Sequence, residues 1–257
     1  MWRRFLLTIG ITALLPLSAG AQTVDEVIAK NVQAHGGMEK LRAVQSVRVT
    51  GKYTQGSFRA GFSQENKRPN KVREENTVQG LTSIDAFDGQ TGWRVSPFGG
   101  RKDPQLLSED DLKGLSEDAD IDGQLVDYKA KGHKAELVGH DPVEGTDCYK
   151  IKLTLKNGDV RNYYIDADSF LEIKMESQRI VRGSLEENET YFGDYEKVDG
   201  VYYPFAFQTA EKGQPESDRV QYTVDKVEVN VPVPDDRFSM PSAPAATPAA
   251  AKPGAGQ

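Results

Sequence analysis

A single cysteine, Cys148, is all the thiol chemistry this chain possesses, so no internal disulfide can form. Histidine is almost as scarce: His35, His133 and His140 are the only three. No HExxH or CxxC accompanies them, and a zinc site needs more ligands than that. There is no GxSxG nucleophile elbow, no P-loop and no dinucleotide fingerprint. A basic stripe is also missing. The full chain carries 32 basic against 39 acidic residues, and nucleic acid demands clustered Lys and Arg.

A long hydrophobic run is absent too. Phe5 to Leu17 is apolar, but it contains Pro16 and falls short of the roughly 20 residues that span a membrane. Arg3 and Arg4 precede it and Ala19-Gly20-Ala21 follows, which is the layout of a cleaved secretory signal peptide over residues 1–21. Cleavage before Gln22 removes two basic residues and leaves 30 against 39, a net charge of −9. The cleaved chain has no cysteine at its start to carry a lipid anchor. An exported, periplasmic protein is expected.

The remaining sequence alternates. Thr23-Val24-Asp25-Glu26 fits a helix capping box, followed by Val24, Val27, Ile28 and Val32 on one face and a stop at Gly36-Gly37. From Ser46 onward the period is two: Ser46 to Tyr53, Phe58 to Phe62, Trp93 to Val95, and Tyr149 to Leu155. Asn157-Gly158 and Asp199-Gly200 are hairpin turns, and further strands follow to Val229. Leu106, Leu107, Leu112, Leu115, Ile121 and Leu125 break the pattern with helical spacing, so a helical insertion is expected over about 103–131. One mainly β domain over 22–240 results, with an Ala/Pro-rich disordered tail over 241–257. Its antiparallel sheet must cover an apolar face, either around a filled core or around a cavity.

Several residues carry competing readings. Asp118-Ala119-Asp120-Ile121-Asp122-Gly123 matches half a calcium loop, but Lys129 stands where the closing carboxylate belongs, which favours a solvated acidic loop. His35, at a helix end, is expected to bond free carbonyls, and Cys148 to be a small half-buried residue. Tyr191, Phe192, Tyr195, Tyr202, Tyr203, Phe205 and Phe207 crowd the last third, as core or as the wall of an acyl site. No catalytic residue, metal site or cofactor is expected.

Three stretches together resemble the LolA-like outer-membrane lipoprotein-sorting proteins. They are Val24–Lys30 running into His35-Gly36-Gly37-Met38-Glu39-Lys40-Leu41 and Val44–Val47; Phe87-Asp88-Gly89 with Gly92-Trp93; and Asp199-Gly200-Val201-Tyr202-Tyr203-Pro204. Tyr163-Tyr164-Ile165-Asp166 and the ending Asp235–Pro241 fit as well. The resemblance implies a curved antiparallel sheet forming an unclosed barrel, lidded by the N-terminal helix and the helical insertion. It further implies a non-enzymatic, monomeric carrier of lipoprotein acyl chains or lipids, working between an inner-membrane transporter and an outer-membrane acceptor. Leu106, Leu107, Leu112 and Leu115 are the candidate lid residues, and Phe58, Phe62 and Trp93 the candidate wall. The alternative is an interaction or adaptor module with a filled core; a hydrolase would need a convergent acid/base cluster in a cleft.

Overall fold

The computed structural model describes residues 22–100 and 102–241. The leader expected over residues 1–21 and all but Pro241 of the expected tail lie outside the described residues. Helix α1 (Val24–Ala34) starts at the expected capping box: the Thr23 hydroxyl accepts from the Glu26 amide, and the Glu26 carboxylate accepts from the Thr23 amide at 2.7 Å. Gly36, at φ +123°, then lets the chain turn against the Gly200 carbonyl, where a Cβ would collide. Helix α2 (Met38–Ala43) follows directly.

Strands β1 (Ser46–Gln55), β2 (Phe58–Lys67), β3 (Lys71–Val78), β4 (Leu81–Phe87), β5 (Gly92–Val95) and β6 (Gln105–Leu106) form one meander. Helix α3 (Glu109–Asp118) and a run of turns lead to the second: β7 (Lys134–His140), β8 (Cys148–Thr154), β9 (Val160–Asp166), β10 (Glu172–Val181), β11 (Ser184–Val198), β12 (Val201–Glu211) and β13 (Val220–Val229). The first and last strands join the meanders, giving one antiparallel 13-stranded sheet in the order β6-β5-β4-β3-β2-β1-β13-β12-β11-β10-β9-β8-β7. Its edges, β6 and β7, do not pair, so the curved sheet is an unclosed barrel.

Helices cover the concave face. Val27, Ile28 and Val32 of α1 pack on Ile151, Leu153, Tyr163 and Ile165 from β8 and β9. Each such burial is worth about 1.5–3 kcal/mol. Opposite, Leu115 and Ala119 at the end of α3 bury against Val72 and Phe87 of β3 and β4, with Leu107 and Leu112 beside them. The convex face of the first meander is strapped by the C-terminal segment: Phe238 is fully buried, and its carbonyl accepts from Trp93 Nε1 at 2.7 Å.

Two features depart from the sequence pattern. The expected insertion contains one helix of ten residues; Gln105–Leu106 is a strand, and the segment after Ala119 is turns. There Asp122 is drawn out of any helix by a two-pronged pairing with Arg68, and Gly123 sits at φ +75°. Strands β3 and β4 had no apolar alternation to announce them, because their concave positions Glu74, Asn76, Ser83 and Asp85 are polar.

Candidate ligand-binding cavity

Between the sheet and its helical cover lies unfilled space. The larger chamber, about 660 Å³, is lined on one side by Phe62, Phe192, Phe207 and Tyr222. Strand register places these rings together: Phe192 lies opposite Phe207, and Phe207 opposite Tyr222. Phe207 and Tyr222 stack with centroids 4.4 Å apart, and Phe62 meets both edge-on at 6.3 and 5.7 Å. Met175, Thr190 and Thr209 extend this wall. A smaller chamber of about 350 Å³ adjoins it, sharing His35, Tyr163 and Glu172 and bounded by Val44, Val47 and Val49.

The floor common to both chambers is polar. His35 Nε2 lies 2.6 Å from Glu172 Oε2, and Nδ1 lies 3.0 Å from the Tyr202 carbonyl. Both partners can only accept, so both ring nitrogens donate and the ring is an imidazolium. Burial opposes that charge, but the Glu172 carboxylate outweighs it and pushes the imidazole pKa up to about 9. Glu172 is held below the ordinary carboxylate range: burial raises it, while His35 and the Asn31 amide more than compensate. The Tyr195 hydroxyl donates to the Glu172 carbonyl at 3.0 Å, and burial beside that carboxylate raises its pKa.

A second buried hub is Glu117, at the end of α3. Its carboxylate accepts from Arg161 at 2.5 Å and Arg179 at 3.0 Å, reaching across to β9 and β10. α3 therefore bridges the concave face: leucines hold it to the first meander and this ion pair holds it to the second. Arg179 reaches the helix because residue 114 is glycine; a Cβ there would stand 2.6 Å from its guanidinium.

No family model and no curated protein sequence matches the chain. Solved structures do. A LolA superfamily protein from Nitrosomonas europaea aligns over 85% of this chain and 98% of its own, at TM-score 0.57 and 13% identity. The fold is LolA-like. A DUF1329 family protein from Desulfovibrio piger gives the same TM-score at 14% identity, covering 85% and 98%. A putative outer membrane lipoprotein-sorting protein domain from Vibrio parahaemolyticus gives 0.53 at 9%, covering 83% and 94%. At such identities the likeness is one of fold.

Within this LolA-like fold the seven singled-out residues separate. Phe62 lines the cavity. Phe58 shares its face but sits at the rim, 44% exposed and 5.9 Å from the Tyr53 ring. Trp93 projects to the convex side, beneath the C-terminal strap and against Arg73. Leu107, Leu112 and Leu115 belong to the packed cluster under α3, whereas Leu106, opposite Trp93 in register, is 67% exposed. The aromatic group also divides: Phe192 and Phe207 face the cavity and Tyr191, one residue along, packs on the convex side with Tyr164 and Ile173, while Asp194 at φ +49° breaks the alternation and lets Tyr195 line the cavity as well.

The acidic run does not converge. Asp122 pairs with Arg68, Asp120 with Lys131 at 2.5 Å, and Lys129 with Asp25 at 2.7 Å, while Asp118 turns into the cavity. Among the described residues no set of His, Cys, Asp and Glu is grouped to hold a metal. His35 does bond a carbonyl, though one from β12 rather than from its own helix. Cys148 is buried, which pushes its thiol pKa up and away from reactivity. His35–Glu172, Glu117 with its arginines, and Glu74 were invisible as a site in sequence, since their members come from elements far apart in the chain.

Proposed function

We propose that this protein is a non-enzymatic carrier that takes an acyl chain or lipid into the cavity under its sheet. One observation carries this reading: the aromatic wall of Phe62, Phe192, Phe207 and Tyr222 lines an unfilled chamber of about 660 Å³. An adaptor with a filled core would have no use for that vacancy. An alkyl chain laid along these rings gains about 25 cal/mol per Å² of surface removed from water.

In this reading α3 is the cover, and Leu107, Leu112 and Leu115 are the contacts that must yield for ligand to enter. The export layout of the first 21 residues and the LolA-like fold support a periplasmic location. A LolA-like architecture in that compartment supports a part in moving lipoproteins or lipids towards the outer membrane, as a monomer passing cargo from an inner-membrane transporter to an acceptor. Native mass spectrometry of protein purified without detergent, combined with titration of a fluorescent acyl probe, tests it. Adducts of lipid mass lost on organic extraction, and probe binding weakened by Phe207→Asp, are the expected results. A bare protein mass together with no probe binding would sink the carrier.

A further inference from the structure

The same chamber is lined by Glu74 of β3, beside the aromatic wall, and by Asp118 at the end of α3. Among the described residues neither carboxylate has a hydrogen-bond or ion-pair partner, although every other charge around them is engaged. Arg161 and Arg179 are committed to Glu117, and Arg94 to Asp85 at 2.5 Å. His35 is neutralised by Glu172. Asp118 keeps accessible surface and lines the cavity, and desolvation by the groups around it raises its pKa. Glu74 is raised as well, first by burial and then by the Asp118 and Asp85 carboxylates, with Arg94 opposing. Two desolvated acids thus face the cavity with no direct counter-ion, and the field of Arg94 on Glu74 and of Arg161 and Arg179 on Asp118 offsets their desolvation only in part.

Register shows what lies beside them. Glu74 is opposite Gln64 on β2, which makes Phe62, two residues along, its diagonal neighbour on the concave face. A cation bound to Glu74 therefore meets the Phe62 ring, with Tyr222 and Phe207 behind it. Carboxylates together with aromatic faces are the chemistry that holds an ammonium group. Among the described residues lining the chamber the guanidinium of Arg161 is already paired with Glu117, which leaves none for an anionic head.

Resting on the carrier reading above, we propose that the ligand bears a cationic head, an amine or quaternary ammonium, seated between Glu74 and Asp118 with its apolar part along the aromatic wall. Neighbouring Gln64, Asn76 and Thr190 add neutral polar contacts for the rest of a head group.

Three probes with the same alkyl chain decide it by calorimetry: dodecyltrimethylammonium, a neutral polyoxyethylene dodecyl ether, and dodecanoate, each kept below its micellar concentration. The whole chain after its leader should bind the cationic probe at least tenfold more tightly than the neutral one. That ratio should collapse towards one in Glu74→Gln, in Asp118→Asn and in the double variant. The ratio within each variant is the readout, so partial loss of folding does not imitate the result. Equal affinities in the unmodified protein, a preference for dodecanoate, or a ratio untouched by the substitutions would overturn the cationic head and leave the carrier standing. Failure of all three probes would remove the carrier itself.

Discussion

Replacing His35 by Gln should flatten the dependence of stability on alkaline pH. The wild-type ring is an imidazolium that donates to Glu172 at 2.6 Å and to the Tyr202 carbonyl at 3.0 Å, with its side chain 19% exposed. Its pKa stands at about 9 in the fold against 6.5 in the unfolded chain, which corresponds to about 3 kcal/mol of stability. The sign follows from the direction: a raised pKa gives stability that is fully present below pH 6.5 and is lost as pH climbs through 9. Glu172 moves the other way, so its contribution fades only on the acid side, below the usual carboxylate range. Urea unfolding at intervals from pH 6 to pH 10 measures this directly. The gap between wild type and His35→Gln should shrink by about 3 kcal/mol across that interval, because a glutamine amide does not titrate. A gap that stays constant from pH 6 to pH 10 would refute the imidazolium and the two-donor geometry with it.

Glu117→Gln strips two guanidinium groups of their buried carboxylate and should cost about 3–5 kcal/mol in denaturant unfolding, with amide exchange quickened in α3. Leu115→Ala, which leaves a void between α3 and the Val72–Phe87 patch, should cost about 2–5 kcal/mol by the same measurement. If either change left α3 as protected as before, the two-sided anchoring of that helix would be wrong.

The parts of the fold that were legible are those where burial alternates cleanly. Tyr149 to Leu155 announces β8 because Ile151, Leu153 and Leu155 all enter one core. The Asn157-Gly158 and Asp199-Gly200 turns announce the β8–β9 and β11–β12 hairpins, with Gly158 and Gly200 at positive φ. β3 and β4 were hidden for a reason tied to function: Glu74 and Asn76 line a cavity rather than a core, and their cross-strand partners Asp85 and Ser83 are polar too, so the concave side of both strands lacks an apolar alternation there. The helical spacing of Ile121 and Leu125 misled because Arg68, more than fifty residues earlier, captures Asp122 and fixes a turn. The cavity floor was illegible on similar grounds. Only the register of β10 and the packing of α1 bring Glu172 to His35, and neither is encoded near either residue.

The meeting of β1 with β13 in the middle of the sheet has a kinetic consequence. Val47 finds Val229, and Thr54 finds Gln221, only after nearly the whole chain is in place. Every other strand neighbour in the order is also a neighbour in sequence. Each meander can therefore zip up from local hairpins at little loop-closure cost, whereas the central seam must wait for two preformed halves to dock. Until then β1 presents a bare edge, and Val47, Val224 and Val227, which later bury together, are open to water. The slowest step in making this molecule is thus the one that creates the cavity, and a chain halted before Val220 is a pair of sticky half-shells with nothing to enclose.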